Sequence, residues 1–402
     1  MSIYQNIRTQ AAAAFGGINN PHYTAGSAGF APRVMAAPPT VTQSATNPLS
    51  TGRQYNAQAA AQATAFNVQA GVEISNSSSI GWYTQTQWTS GSGGLSYLNP
   101  APPPRSGTMT RIRFCTTAAQ ISIAVIVSSK IRFIVDGVFV SLALQITLQP
   151  FIVLDFTAVG GAAARTIEIE IASSGGLLIN TVRGVWVPTT ASVYAPRYIT
   201  PIKWIQMGDS LTLGGYATYL PDAYSNVMGD YLGISNLWSS GLGSTGYIRG
   251  PDLGSPIFNA LQRLPYDALP YFPDVYGLAF GVNDVSYPVS DVVNNMLRCI
   301  GWIRGQQPET PIFVWGVWFL QNSEAACTTL ETAMFAAIKD LVAQGDQNLF
   351  CIPVMTDSGG AWLVESQRTT FLIDIVHPNT IGHQYYGMRS AQAVLEAIKD
   401  KV

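Results

Sequence analysis

Residues 202–211 read IKWIQMGDSL, a short apolar run ending in Gly208-Asp209-Ser210-Leu211. A run of this length that stops at a glycine and small polar residues predicts a buried strand turning directly into a helix, with Ser210 on the turn. Near the other end of the chain, Asp374-Ile375-Val376-His377 stands just before the last helix-forming stretch. A serine hydroxyl is a weak nucleophile until an imidazole accepts its proton, and the imidazole needs a carboxylate to set its tautomer. Together the two stretches hold the parts of nucleophilic acyl transfer, with Ser210 to attack, His377 as base and Asp374 as its acidic partner.

Working outward from Ser210, apolar runs alternate with helix-like stretches. Strands are predicted at 202–207, 234–239, 275–280, 312–318 and 348–353, and helices near 215–231, 288–304, 324–343 and 380–399. Strands separated by helices build a parallel sheet covered on both faces. Reactive groups in such sheets sit on loops at the carboxyl ends of the strands. Gly241-Leu242-Gly243-Ser244 follows the second predicted strand and Gly281-Val282-Asn283-Asp284 the third. Each motif alone also has a purely structural meaning: Asp209 and Ser210 can cap a helix, Asn283 can serve a turn, and His377 can be incidental to a helix start. Their order, each on a loop after a strand or before the final helix, joins them into one site.

On these residues the chain resembles the SGNH hydrolases, also called the GDSL esterase/lipase family, over about residues 199–402. The resemblance implies a flavodoxin-like α/β/α domain acting on esters. It implies Ser210 as nucleophile, Asp374 and His377 as the remaining triad members, and Ser210, Gly243 and Asn283 as oxyanion donors. The second block departs from the family pattern: it reads SSGLGSTGY (239–247), where the family often has a leading asparagine. The backbone donor there is Gly243, or Ser244 if the register slips by one. A tetrahedral oxyanion needs about three donors, and losing one costs ~100- to 1,000-fold in rate.

The chain has three histidines. His22 lies in a low-complexity stretch, and His383, six residues past His377 inside the last predicted helix, reads as structural. No HExxH or Cys/His cluster occurs, so no metal is expected. There is no GxSxG elbow, and no GxGxxG follows the first strand, so neither the larger α/β-hydrolase fold nor a nicotinamide is implied. No cofactor is expected. Tyr216, Trp238, Tyr247, Tyr287, Trp315 and Trp318 lie near the expected mouth, where aromatic rings could either stack on sugars or pack the core.

Upstream, in about residues 71–198, the period changes to two. ISIAVIV (121–127), KIRFIVDGVFVSL (130–142) and TIEIEIA (166–172) read as strands. Asp136-Gly137 between two such runs is a type I′ hairpin signal. Ile167, Ile169 and Ile171 are expected to face a core, with Glu168 and Glu170 toward water. This spacing implies an antiparallel β-sandwich or jelly roll, joined through VYAPRYITPIKW (193–204) to the hydrolase-like domain at 199–402. Residues 1–70, rich in Ala, Gln, Asn, Thr and Pro, read as an extended arm, with a short helix allowed at 56–66.

Composition narrows the function classes. Charged residues make up 11% of the 402, against ~25% in an average soluble protein, and the net charge is -2. No basic field exists to recruit nucleic acid or an anionic membrane, and no apolar stretch approaches the ~18 residues of a membrane span. The first 17 residues lack a basic start followed by an apolar run, so Sec-type export is not written there. Cys115, Cys299, Cys327 and Cys351 read as buried thiols, with a Cys327–Cys351 bridge as the alternative.

A GDSL-type domain preceded by a β-sandwich is similar to carbohydrate esterases that remove O-acetyl groups, so an acetylated polysaccharide is the expected partner. The low charge and the N-terminal composition resemble phage tail-spike or tail-fibre deacetylases, which implies an extracellular or virion-associated protein and a homo-oligomer, trimeric in a tail. Two other readings stand beside this: a lipolytic or broad small-ester hydrolase, and a non-enzymatic glycan-binding tail protein.

Overall fold

The computed structural model describes residues 2–15, 34–56, 73–76, 109–125, 127–128, 130–172, 182–194, 202–218, 222–234, 237–250 and 258–401. Helix α1 (Ile3–Phe15) comes first. Strands β1 (Thr40–Ser44), β2 (Arg53–Asn56), β3 (Glu73–Asn76), β4 (Met109–Thr116), β5 (Gln120–Val125), β6 (Lys130–Val135), β7 (Val138–Phe139), β8 (Gln145–Ile146), β9 (Phe151–Asp155), β10 (Arg165–Ala172), β11 (Val182–Val187) and β12 (Val193–Tyr194) follow. They form two antiparallel sheets. One runs β1-β9-β5-β11-β2 and the other β12-β4-β10-β6-β7, with β3 against β4 and β8 against β6. Phe114, Phe133, Ile167 and Ile169 from one sheet and Ile121, Ile123, Ile152 and Val185 from the other share a single core, so the region is a β-sandwich.

The hairpin signal is realised. Asp136 and Gly137 have φ of 50° and 76°, and Val135 pairs with Val138 across the turn. Ile167 and Ile169 are wholly buried as the alternation requires, while the side chain of Ile171 lies outside the described part. The expectation for the glutamates is corrected: Glu168 and Glu170 are also buried, at 7% and 0% exposure. Their face of the sheet is covered rather than solvated. Arg132, the cross-strand partner of Glu170, forms an ion pair with it and donates through Nη1 at 2.9 Å to Asp222 of the following domain. A period of two identifies the faces of a strand but not what covers the second one.

The C-terminal domain is the parallel α/β domain expected. Its elements are β13 (Trp204–Gly208), α2 (Ser210–Leu213), α3 (Tyr224–Leu232), β14 (Leu237–Gly241), α4 (Ala260–Asp267), β15 (Val275–Ala279), α5 (Val289–Gln306), β16 (Ile312–Trp315), α6 (Glu324–Ala343), β17 (Leu349–Ile352), α7 (Arg368–Phe371) and α8 (Thr380–Ala397). The strand order β14-β13-β15-β16-β17 is flavodoxin-like. It reverses between β13 and β15, and the carboxyl ends of strands at such a switch point are where these sheets carry their sites.

Two stretches within residues 1–70 are built into the fold. Tyr4, Ile7 and Ala11 of α1 enter the hydrolase-domain core, and the Tyr4 hydroxyl donates to Asn348 Oδ1 at 2.5 Å. Strands β1 and β2 close the two edges of one sandwich sheet. The Ala/Gln composition hides this because three side chains at helical spacing suffice to dock α1. Residues 57–66 of the allowed helix lie outside the described residues. All four cysteines are free thiols; burial pushes Cys299, Cys327 and Cys351 up to about 12.

Arg132→Ala would leave the Glu170 and Asp222 carboxylates buried without their cation. A loss of about 3–5 kcal/mol is expected, read from the urea midpoint, with much of it recovered when all three residues are replaced by apolar ones.

Candidate active site

Ser210 begins the four-residue α2 at the carboxyl end of β13. Asp209 caps that helix, its Oδ1 accepting the Leu211 N–H at 2.9 Å. The structural reading of Asp209 and the chemical reading of Ser210 are therefore compatible. Ser210 Oγ lies 2.8 Å from His377 Nε2, and His377 Nδ1 lies 2.7 Å from Asp374 Oδ2. A ring nitrogen facing a carboxylate carries the proton, which leaves Nε2 as the acceptor for the serine hydroxyl.

The three-residue spacing of Asp374 and His377 works through the backbone. Asp374 Oδ1 accepts the N–H groups of Val376 at 2.8 Å and His377 at 2.7 Å, so a single loop closes on its own carboxylate. Burial works to raise the Asp374 pKa, but the His377 and Val376 N–H groups and the imidazole outweigh it and hold the carboxyl below its ordinary value.

The other two loops arrive from β14 and β15. A Cβ placed on Gly243 would stand 3.9 Å from the Ser210 Cβ, so this loop runs alongside the serine, and Ser244 takes a left-handed φ of 61°. Asn283 donates one amide N–H to Thr245 O at 3.0 Å; the amide nitrogen carries a second.

Three residues that sequence reasoning passed over hold these loops. Asp284, next to Asn283, accepts the N–H groups of Tyr247, Ile248 and Arg249 at 2.6, 3.1 and 2.8 Å. Gly246 must be glycine for this, since a Cβ there would meet the Asp284 carboxylate at 2.3 Å. Arg263, fully buried on α4, donates to Gly208 O at 2.8 Å, to Thr245 Oγ1 at 2.9 Å and to the Ser240 carbonyl, and pairs with Asp267 at 3.0 Å. Its i,i+4 spacing to Asp267 was the available signal. Pro265 within α4 masks that helix from a pattern search.

His383 is structural, as expected. Its Nδ1 accepts the Tyr224 N–H at 3.3 Å, and its Nε2 donates to Gly215 O at 2.9 Å. Of the six aromatics, Tyr247, Trp315 and Trp318 are wholly buried core residues. Trp238 packs against Tyr271 at 5.7 Å between ring centroids. Tyr287 is 36% exposed, and Tyr216 is 61% exposed with its ring 5.1 Å from that of His377.

Residues 207–385 match the family described as GDSL-like lipase/acylhydrolase. This is a GDSL-like acylhydrolase domain. No curated protein matches the chain. Among solved structures, the fold is similar to a family two carbohydrate esterase from Clostridium thermocellum in complex with cellohexaose (17% identity, TM-score 0.52, 73% of this chain and 93% of that one). A carbohydrate esterase family 2 enzyme with a carbohydrate binding domain, from Corynascus thermopiles (Myceliophthora fergusii), aligns at 17% identity and TM-score 0.51 over 82% of this chain and 99% of that one. The salicylyl-acyltransferase SsfX3 of a tetracycline biosynthetic pathway aligns at 17% identity and TM-score 0.51 over 70% and 80%. These likenesses are of fold. The chain is an esterase, and residues 207–385 are the part that matches the family. No helix among the described residues is long and apolar enough to cross a membrane.

Two buried groups behind the acylhydrolase site titrate in opposite senses. Burial pushes His383 down to about 4, helped by charge on His377 and opposed by the bond to Gly215. The folded protein therefore keeps it neutral while the unfolded chain protonates it below ~6.5, and its stabilisation is lost as pH falls from ~6.5 toward ~4. Burial raises Asp209 to about 7 despite its bond from Leu211. The folded state then retains a proton that the unfolded chain releases above ~4, and stability falls as pH rises from ~4 to ~7. Only a difference measurement separates them. The stability gap between wild type and His383→Gln is expected to be widest above pH ~6.5 and to shrink toward pH ~4; a constant gap would show that His383 does not titrate.

Proposed function

We propose that this acylhydrolase removes O-acetyl groups from a polysaccharide through an acyl-enzyme on Ser210. The observation that carries the reading is the continuous relay Ser210 Oγ, His377 Nε2, His377 Nδ1 and Asp374 Oδ2, at 2.8 and 2.7 Å. Ser210 Oγ bonds to the ester carbonyl carbon and passes its proton to His377 Nε2. The carbon–oxygen bond to the alcohol breaks, and His377 returns that proton to the leaving oxygen. Water gives a proton to His377 and its oxygen bonds to the acyl carbon; the bond from that carbon to Ser210 Oγ breaks, His377 returns the proton to Ser210 Oγ, and acetate leaves. We assign the oxyanion to the N–H groups of Ser210 and Gly243 and the free amide N–H of Asn283, with Asp284 and Arg263 keeping those loops in place. Gly243, not Ser244, is the assigned backbone donor because it runs beside Ser210.

The carbohydrate part is supported by the shared architecture with carbohydrate esterases, one of them bound to cellohexaose. The low charge and N-terminal composition support a place on a phage tail, where a trimer is expected; a monomer by light scattering would count against that. A second reading, a lipolytic or broad small-ester hydrolase, is favoured by the exposed apolar side chains of Ile373 and Ile375 on either side of Asp374, at 59% and 53% exposure.

Ser210→Ala and His377→Ala are each expected to lower kcat by ~10⁴ or more, and Asp374→Ala by less. Hydrolysis of p-nitrophenyl acetate set against the octanoate separates the readings: acetate preference abolished by Ser210→Ala supports a deacetylase, octanoate preference the lipolytic reading. No Ser210-dependent turnover of either ester would leave a glycan-binding protein.

A further inference from the structure

We propose that Tyr216 selects the leaving alcohol, its ring forming a platform beside His377 on which the sugar carrying the ester stacks; this rests on the carbohydrate reading above. The placement follows from the direction of proton flow. The proton that His377 takes from Ser210 goes to the leaving oxygen, so that oxygen must come within reach of Nε2. Cδ2 is the ring carbon bonded to Nε2, and the Gly215-Tyr216 turn passes along that edge. A Cβ on Gly215 would lie 3.6 Å from His377 Cδ2 and 3.7 Å from Ser210 Cβ. The Tyr216 ring, 5.1 Å from the imidazole and tilted 50° to it, flanks the alcohol side of the site.

The turn does not exist to bury this ring, which is 61% exposed. Nor does the ring hold the turn. Gly215 O is fixed by His383 Nε2 at 2.9 Å, and Gly215 N donates to Ser210 O at 2.8 Å. Ala217 N donates to Gly214 O at 3.1 Å, and Thr218 N to Thr380 Oγ1 at 2.8 Å. These bonds impose on Tyr216 a left-handed φ of 65°, a conformation that a bulky side chain disfavours and that Gly or Asn would adopt more readily. A large aromatic residue kept in an unfavourable backbone conformation, exposed, beside the group that protonates the leaving alcohol, fits a contact with substrate. Its flat face suits the C–H surface of a pyranose, as aromatic faces suit other rings.

The test compares kcat/KM for glucose pentaacetate with that for methyl acetate, acetyl esters of a sugar and of a one-carbon alcohol, in wild type, Tyr216→Phe, Tyr216→Gly and Tyr216→Asn; the ratio between variants cancels the difference of five acetyl groups against one. The sugar-to-methyl ratio should fall about tenfold in the Gly and Asn variants, mainly through KM on the sugar ester, and stay within about twofold in the Phe variant. A backbone role alone predicts no loss in the Gly and Asn variants, which adopt the left-handed turn more readily, beside a Phe variant that behaves like wild type. An unchanged ratio in Tyr216→Gly, beside a wild-type sugar preference, would overturn the assignment and leave the carbohydrate reading standing. A wild type with no preference for the sugar ester would overturn both.

Discussion

A buried guanidinium must find partners for its donors or not be buried at all, and Arg263 meets that demand at the point where the loops of the candidate site leave the sheet. Its contacts to Gly208 O, the Ser240 carbonyl and Thr245 Oγ1 join the end of β13, the end of β14 and the loop that carries Gly243. Asp284 does the same from the other side, collecting three successive N–H groups of the loop that follows. The Asn283 amide, bonded to Thr245 O, completes a closed polar frame around the switch point. Donors aimed at a developing oxyanion are useful only when they need not reorganise during the reaction, and the proposed donors Gly243 and Asn283 lie on the loops this frame holds.

The serine side has its own frame. Thr212 and Gln206 both bond the Tyr224 hydroxyl, and the Tyr224 N–H reaches His383, which in turn holds Gly215. Asp222, two residues before Tyr224, is the carboxylate that meets Arg132 of the sandwich. The sandwich is thus in register with the start of α3 through a buried ion pair, the kind of contact that loses far more when broken than it contributes when formed. The N-terminal helix adds a second long-range tie, from Tyr4 to Asn348 beside β17.

Much of this was legible from residues alone. The strand ending at Gly208, the Asp136-Gly137 turn, the five parallel strands and the grouping of Ser210, Asp374 and His377 all follow from local periodicity and spacing, because each depends on side chains a few positions apart or on loops of one shared type. His383 could be set aside as structural from its place inside a helix. What could not be read has a common character. The burial of Glu170 goes with Arg132 and with Asp222, which arrives from another domain. The docking of α1 depends on a core almost the whole chain away, and the role of Arg263 depends on carbonyls at two strand ends.

The sequence by itself determined the fold class and which side chains could carry the chemistry, since hydrophobic period and motif order are local properties. Tertiary structure alone decided which aromatics became core and which stayed at the mouth, and which carboxylates became buried partners. It also decided how the turn at Tyr216 was forced into a left-handed conformation. The physical reason is that desolvation is a property of the space around a group: Trp315, Tyr247 and Tyr216 are alike in sequence, and only the surfaces packed against them make two wholly buried and leave the third exposed beside His377.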